Sequence, residues 1–330
     1  MRWPRTVFCA WRCTMADLTL PLRGFGWDRI PGAAYMLAVL AAGFAVVSNG
    51  FVDGTNLANI GMQSTILLLL ALPMTLILMT EGIDLSMGAV LTLASVVLAA
   101  VAVKTGSVSL ALAGALALGA AFGFVNGALV AWLKLPPFVT TLGTMGIASG
   151  LALVITDAQS ITGVGDDVVF FYAGTLAGVP VPLLVAVVAY LCTHWLLYQT
   201  RFGTYVFALG GNREALRLAG VRANAYLIGV YVFGGAMAGL AALLLTARMS
   251  AGHPTAAIGM EFDAIAAVAI GGTSFEKGNG WLFGTVLGVL LVGVLRNGLN
   301  LLAVPSSLQV VAIGVLIIVA LLIESVKGRA

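Results

Sequence analysis

Long apolar runs dominate the chain and predict membrane-spanning helices. A helix needs about 20 mostly apolar residues to cross the hydrocarbon core of a bilayer. Runs of suitable length, free of Asp, Glu, Lys and Arg, cover residues 33–52, 60–80, 87–103, 108–133, 138–156, 179–198, 225–247 and 307–323. The pattern therefore predicts an all-α, polytopic membrane protein.

Two further apolar stretches are too short to be ordinary spans. They cover residues 262–272 and 281–295 and flank a polar segment, Thr273–Gly280. Two short tilted helices and one re-entrant hairpin both fit this pattern, and both return the chain to the same side before Arg296. Counted as crossings, the pair brings the prediction to about ten transmembrane helices.

Composition agrees with this class and excludes others. The 330 residues are 61% hydrophobic and 9% charged, against about 25% charged residues in water-soluble chains. Most of the surface must therefore face lipid, which disfavours a soluble enzyme or a secreted disulfide scaffold. The net charge of +3 is too small to attract nucleic acid.

The distribution of basic residues predicts the orientation, because cytoplasmic loops collect Lys and Arg. With the amino terminus inside, only Lys104, Arg248 and Arg296 fall outside, leaving 13 of the 16 basic residues on the cytoplasmic side. We therefore expect a cytoplasmic leader at 1–32, a transmembrane domain at 33–324 and a cytoplasmic tail at 325–330. A second methionine, Met15, suggests that residues 1–14 are dispensable; loss of transport in a chain beginning at Met15 would contradict this.

The two halves of the chain share an order of features that suggests an internal repeat. In each half an acidic segment precedes a small-residue helix, a glycine-rich helix with an Asn-Gly pair, and a proline. The matching features are Glu81 and Asp84, Asn126-Gly127 and Pro136 in the first half, and Glu261 and Asp263, Asn297-Gly298 and Pro305 in the second. The copies would run in opposite senses, as in transporters with inverted repeats, although the spacings differ and chance remains an alternative.

Sequence motifs for catalysis are missing. No Gly-x-x-x-x-Gly-Lys-[Ser/Thr] phosphate loop occurs, so the chain is not expected to hydrolyse ATP itself. Neither a catalytic triad nor a metal-binding set can be assembled. We interpret His194 and His253 as structural, and the three cysteines as structural or incidental.

Several polar residues interrupt the apolar runs. Asp84 with Ser86 can cap the helix that starts near Met87, or line a water-filled cavity, and both roles are compatible. Asn126, Asn297 and Asn300 either join helices or face a solute. Uncharged amides would suit a neutral polyhydroxylated solute.

The basic loop at 199–224 contains a predicted helix outside the membrane. Asn212 is expected to cap the start of this helix and Gly220 to end it. Glu214 and Arg217, three residues apart, lie on the same face of the helix. A helix of about two turns is marginal in water, so we expect it to pack against a partner.

In several motifs the chain resembles the membrane permease subunits of bacterial ATP-binding-cassette importers for ribose, xylose, arabinose and galactosides. The resemblance spans about residues 35–325. It rests on Glu81–Gly88, Leu135–Met145, Ala208–Ala215 with Gly220, Phe262–Ala267 with Ile270–Thr273, and Asn297–Leu302. Two features depart from the family pattern: Glu81 stands where glycine is usual, and Glu276-Lys277 where small residues are usual.

The resemblance implies an inner-membrane permease dimer that works with two cytoplasmic ATPase subunits and an extracytoplasmic sugar-binding protein. ATP and Mg would be bound by the ATPase, with no cofactor in this chain. The residues implied for coupling to the ATPase are Gly211, Asn212, Glu214, Arg217 and Gly220. The candidates for the translocation path are Glu81, Asp84, Asn126, Thr141, Asp263, Asn297 and Asn300. The expected solute is a monosaccharide such as a pentose; the alternative is a facilitator or secondary transporter that works alone.

Overall fold

The computed structural model describes residues 32–273 and 278–327, and most of them are helical. The helices are α1 Gly32–Val47, α2 Gly54–Met79, α3 Met87–Thr105, α4 Val108–Ala131, α5 Pro137–Thr156, α6 Asp166–Ala173, α7 Val181–Tyr198, α8 Arg201–Leu218, α9 Ala223–Met249, α10 Met260–Ile270, α11 Leu282–Leu301 and α12 Ser306–Lys327. The strands have two residues each: β1 Ile161–Thr162, β2 Thr175–Leu176, β3 Val179–Pro180 and β4 Ala251–Gly252.

Seven of the helices in the described part of the chain are long and apolar enough to cross a membrane. They are α2, α3, α4, α5, α7, α9 and α11. The predicted class, an all-α polytopic membrane protein, is confirmed. The total of about ten crossings and the inverted repeat stay predictions.

Helix α11 corrects one predicted element. The apolar stretch at 281–295 was expected to be short, but α11 continues to Leu301 and has 20 residues. It passes through Arg296, whose guanidinium pairs with the Asp263 carboxylate of α10. This partner is the reason that a cation can lie within a membrane helix. Helix α10, with 11 residues, is short as predicted.

Other boundaries also differ from the sequence pattern. Helix α1 stops at Val47, because Ser48-Asn49-Gly50 forms a turn within the run predicted to reach residue 52. The loop predicted at 199–224 is helical from Arg201, and the segment between α5 and α7 contains the short helix α6. The predictions for residues 1–31, Glu276-Lys277 and 328–330 lie outside the described residues.

Helices α2, α3 and α9 form the centre of the described part of the chain. In the most apolar 18-residue stretch of each helix, 89% of the residues are buried in α2, but only 22% in α4 and 28% in α5. The outer helices expose large apolar side chains, including Val154 and Trp195. Such a surface suits a lipid environment, in which apolar side chains on the outside carry no penalty.

Glycines allow α4 and α9 to approach backbone to backbone. A Cβ atom added at Gly119 or Gly123 of α4 would collide with carbonyl groups of α9, and one at Gly235 or Gly239 would collide with α4. Small residues serve this purpose in membrane helices, where close van der Waals packing replaces the hydrophobic effect as the source of association. The glycine-rich sequence of α4 therefore has a packing role.

We expect the substitution Gly123→Leu to separate α4 from α9. The free energy of unfolding should fall by about 1–3 kcal/mol or more, since this is the usual range for overpacking. The matched control is Gly146→Leu on α5, where an added Cβ meets nothing within 4 Å. The thermal unfolding midpoint of the purified protein should fall for Gly123→Leu and stay near wild type for Gly146→Leu. Equal midpoints for the two variants would contradict the packing role.

Helix α9 separates two ends of the molecule, with α8 before it and β4 after it. At the β-strand end, β1 pairs antiparallel with β4, and the Ser160 hydroxyl is hydrogen-bonded to Nδ1 of His253, in keeping with a structural role for this histidine. Nearby, the Arg248 guanidinium lies 5.9 Å from the ring centre of Tyr172. Burial raises the pKa of Tyr172, and the Arg248 charge partly offsets that rise.

Candidate functional site

Helix α8 is broken at Asn212, which has an extended backbone with φ −163° and ψ 95°. Its side-chain Oδ1 accepts a hydrogen bond of 2.8 Å from the backbone N–H of Ala215. This is the geometry of a helix N-cap, in which a side-chain oxygen satisfies an N–H of the first turn. Residues 213–218 thus form a separate short helix, and the predicted cap is confirmed.

The short helix presents an ion pair to its surroundings. The Arg217 guanidinium lies 2.6 Å from the Glu214 carboxylate, and these side chains are 72% and 63% exposed. Gly220 ends the helix with φ 77°, a left-handed conformation that glycine adopts without strain. An ion pair this exposed contributes little to stability, so it is available for other contacts.

A cavity of about 1250 Å³ lies beside this helix, between the end of α4 and the starts of α5 and α9. We call it the kink cavity. Its charged lining residues are Glu81, Lys134, Arg213, Glu214, Arg217 and Arg222. The Tyr231 side chain also lines it, and its buried hydroxyl has no hydrogen-bond partner in the described chain.

Glu81 lies at the kink cavity with the residues predicted for coupling. It is exposed and has φ 60°, in the left-handed region that favours glycine. The next residue, Gly82, lies so close to Tyr231 that an added Cβ would be 2.7 Å from the hydroxyl. The structure therefore separates Glu81 from the other path candidates.

Asp84, Asn126 and Thr141 come together in a buried polar network. The Asp84 carboxylate accepts hydrogen bonds from the Ser86 backbone N–H at 2.8 Å and the Ser86 hydroxyl at 2.6 Å. Asn126 donates to the Ser86 hydroxyl at 2.8 Å and accepts from the Thr144 hydroxyl at 2.7 Å. The Thr141 hydroxyl accepts from the backbone N–H of residue 85.

This network joins the loop before α3 to α4 and α5, and its residues do not line the kink cavity. Ser86 occupies the N-cap position of α3, but its hydroxyl makes no capping hydrogen bond; its oxygen accepts from the Asn126 amide while its proton is donated to Asp84. Buried carboxylates and amides need such partners. Joining helices, one of the two roles predicted for Asn126, is thus the role that its contacts support.

A second cavity, of about 360 Å³, is walled by α2, α9, α10, α11 and α12 toward the β-strand end. We call it the ion-pair cavity, because Arg296 and Asp263 form their salt bridge in its wall. The Asp263 side chain is 9% exposed and that of Arg296 is 42% exposed. Asn300 also lines the cavity, so two path candidates share it.

Further polar side chains complete the wall of the ion-pair cavity. The Gln309 amide donates to Asn300 Oδ1 at 2.7 Å, which holds both side chains in place. Gln63 and Ser64 of α2 lie in the same wall. Among the buried polar atoms of this wall, Ser64 Oγ and Arg296 Nε have no hydrogen-bond partner in the described chain.

Asn297, the remaining path candidate, does not line the ion-pair cavity. Its amide exchanges hydrogen bonds of 2.9 and 2.8 Å with the amide of Asn56 on α2. Reciprocal pairing satisfies both amides within the protein and joins α11 to α2. Helix packing is therefore the role that its contacts support.

Sequence reasoning missed several residues of the ion-pair cavity. Arg296 was assigned to a loop, although a cation inside an apolar, glycine-rich stretch is a signal for a buried acidic partner. The amide of Gln309 and the Gln63-Ser64 pair lie within or beside apolar runs, and their direction depends on helix rotation. Apolar periodicity alone could not reveal that direction.

Comparison with known protein families gives a match over most of the chain. Residues 56–321 match the family described as the permease component of the branched-chain amino acid transport system. No solved structure gives a significant match to the chain.

Curated relatives narrow the family. The chain is 38% identical to the D-allose transport system permease protein of Escherichia coli (strain K12), over 92% of this chain and 93% of the relative. It is 39% identical to the ribose import permease protein of Bacillus subtilis (strain 168), over 88% and 91%. It is 34% identical to the L-arabinose transport system permease protein of E. coli (strain K12), over 92% of both. The chain belongs to the membrane permease family of bacterial ATP-binding-cassette sugar importers.

Proposed function

We propose that this permease carries a monosaccharide, such as a pentose, across the bacterial inner membrane, driven by separate ATPase subunits that bind ATP and Mg. The support for the solute class is that relatives of this chain are named for ribose, D-allose and L-arabinose, which are all monosaccharides. The support for an external energy source is the exposed short helix at 213–218.

The exposed helix is the observation that carries the proposal. It follows the break in α8, where it is capped by Asn212. It bears the Glu214–Arg217 pair and ends at Gly220. With Gly211 at the break, it fits the coupling element that an ATPase cleft would receive. Docking of this helix in such a cleft would bury its charges against complementary groups of the ATPase.

The proposed topology has ten crossings, with the α8 end and both termini in the cytoplasm. The α8 end carries the basic residues Lys134, Arg201, Arg213, Arg217 and Arg222, as the positive-inside rule requires. The β-strand end would face outward. There the exposed residues Asp166 and Asp167 open α6 and offer a negatively charged surface to a sugar-binding protein. A second permease copy would complete the membrane unit.

Within this scheme, Asp263 and Asn300 are the path candidates with the strongest support, because they line a polar cavity near the outward end. Glu81 lies at the kink cavity, where it would be close to the coupling element. Asp84, Asn126, Thr141 and Asn297 would position the helices that surround the path.

Reconstitution tests the proposed function. Proteoliposomes that contain the permease, its ATPase and its binding protein should take up a radiolabelled monosaccharide only when ATP is enclosed with the ATPase. Proteoliposomes with the permease alone should show no uptake above that of empty liposomes. Uptake by the permease alone would instead support a facilitator, and absence of uptake for D-ribose, D-allose and L-arabinose would contradict the proposed solute class.

A further inference from the structure

We propose that the ion-pair cavity is a binding site, within a single permease subunit, for one uncharged polyhydroxylated molecule of monosaccharide size. The inference rests on the proposed function and goes beyond it. It assigns a site and a chemical class to the solute, and it makes Arg296, Gln63 and Ser64 binding residues beside Asp263 and Asn300.

The size of the cavity sets the first limit. Cavities that enclose a small molecule begin at about 300 Å³, so 360 Å³ has room for one small solute and excludes a longer saccharide. Five helices contribute to the wall, which brings groups separated by more than 200 residues to one point. A site built from many elements can surround its ligand on several sides.

The charges in the wall set the second limit. The described residues that line the cavity include three ionisable groups, Arg248, Asp263 and Arg296. Asp263 and Arg296 neutralise each other, and Arg248 is exposed and lies over the Tyr172 ring. A charged solute would therefore leave water without gaining a free counter-ion at the cavity centre, which disfavours it relative to an uncharged one.

The hydrogen-bonding groups favour hydroxyls. The Gln63 amide and the Ser64 hydroxyl each contain a donor and an acceptor, as does a sugar hydroxyl. The Gln309 amide nitrogen donates to Asn300 Oδ1 and to a backbone carbonyl, so this pair offers the Asn300 N–H groups as donors and Gln309 Oε1 as an acceptor. Ser64 Oγ and Arg296 Nε are buried without a partner in the described chain, and each would gain one if its side chain turned toward a bound hydroxyl. Gly293 leaves room for the Ser64 hydroxyl, because an added Cβ there would collide with it.

Protection of an introduced thiol tests this site directly. The native Cys9, Cys13 and Cys192 are replaced by serine, and Met260→Cys places a thiol in the apolar part of the cavity wall. The complete transporter in nanodiscs, without nucleotide, is treated with a small neutral methanethiosulfonate. D-ribose, D-allose or L-arabinose should slow modification at position 260, by about tenfold when the sugar is at ten times its Kd. The control, Ser109→Cys, is exposed on α4 outside the cavity and should react at one rate throughout.

The outcomes separate this inference from the proposed function. ATP-driven uptake is measured in the cysteine-free background, so its absence would count against the proposed function alone. Uptake without sugar protection at position 260, or at position 258 in Ile258→Cys if the first variant does not fold, overturns the site. A thiol that fails to react at either position overturns it too, because a solute must be able to enter. Equal protection by D-ribose 5-phosphate or D-ribonate overturns the uncharged class.

Discussion

Replacing both charges of the exposed helix, in the double variant Glu214→Ala, Arg217→Ala, is expected to lower ATP-driven uptake by about tenfold or more. Loss of only about 1.4 kcal/mol of docking free energy corresponds to a factor of ten, and truncated charged contacts at interfaces often cost more. Alanine has the highest helix propensity, so the helix itself should persist. Stimulation of the ATPase by the loaded binding protein should fall in parallel.

The matched control removes two exposed charges from the opposite end of the molecule. Lys104 lies in the last turn of α3 and Asp53 precedes α2, and both are exposed. The double variant Lys104→Ala, Asp53→Ala should keep uptake and ATPase stimulation near wild type. If both activities survive in the helix variant as well, residues 213–218 do not couple this permease to its ATPase.

The break in α8 was predictable because its causes are local. An asparagine followed by helix-forming residues and then by glycine describes a short capped helix without reference to the rest of the chain. Asn212 and Gly220 adopt the backbone conformations that their residue types favour. The long spans were predictable for a similar reason, because length and apolar composition are sufficient to define them.

Glu81 has a left-handed backbone conformation that its residue type does not predict. Its φ of 60° is costly for a residue with a Cβ, which gives a physical reason for the glycine usual at this place in the family. The same position lies at the kink cavity beside the proposed coupling helix. This position fits a place near the proposed coupling contact better than a role in solute selection.

The polar interior could be predicted only in part, because its partners are distant in sequence. Asp263 and Arg296 are 33 residues apart, and Asn56 and Asn297 are 241 residues apart. Which side of a helix faces a partner depends on helix packing, and that is a property of the whole bundle. Sequence reasoning therefore singled out polar residues that interrupt the apolar runs but could not divide them between packing and cavity walls.

Breaking the Asp263–Arg296 pair is expected to have the largest effect on stability. Arg296→Met leaves the Asp263 carboxylate 9% exposed and without its cation, at a cost of about 3 kcal/mol, the lower end for a broken buried pair. Asp263→Asn should cost less, because the Arg296 side chain is 42% exposed and can recover hydration. The thermal unfolding midpoint of the purified permease should therefore be highest for wild type, lower for Asp263→Asn and lowest for Arg296→Met.

The double variant Asp263→Leu, Arg296→Met separates stability from transport. Removing both charges together leaves no unpaired ion, so the unfolding midpoint should return close to wild type, as it does for other buried pairs replaced by apolar side chains. Uptake should stay low in the double variant, because the wall of the ion-pair cavity has lost the donors and acceptors of this pair. Recovery of uptake along with stability would mean that the pair only supports the fold. Near-wild-type midpoints for both single variants would mean that the two side chains are hydrated separately and do not form a buried pair.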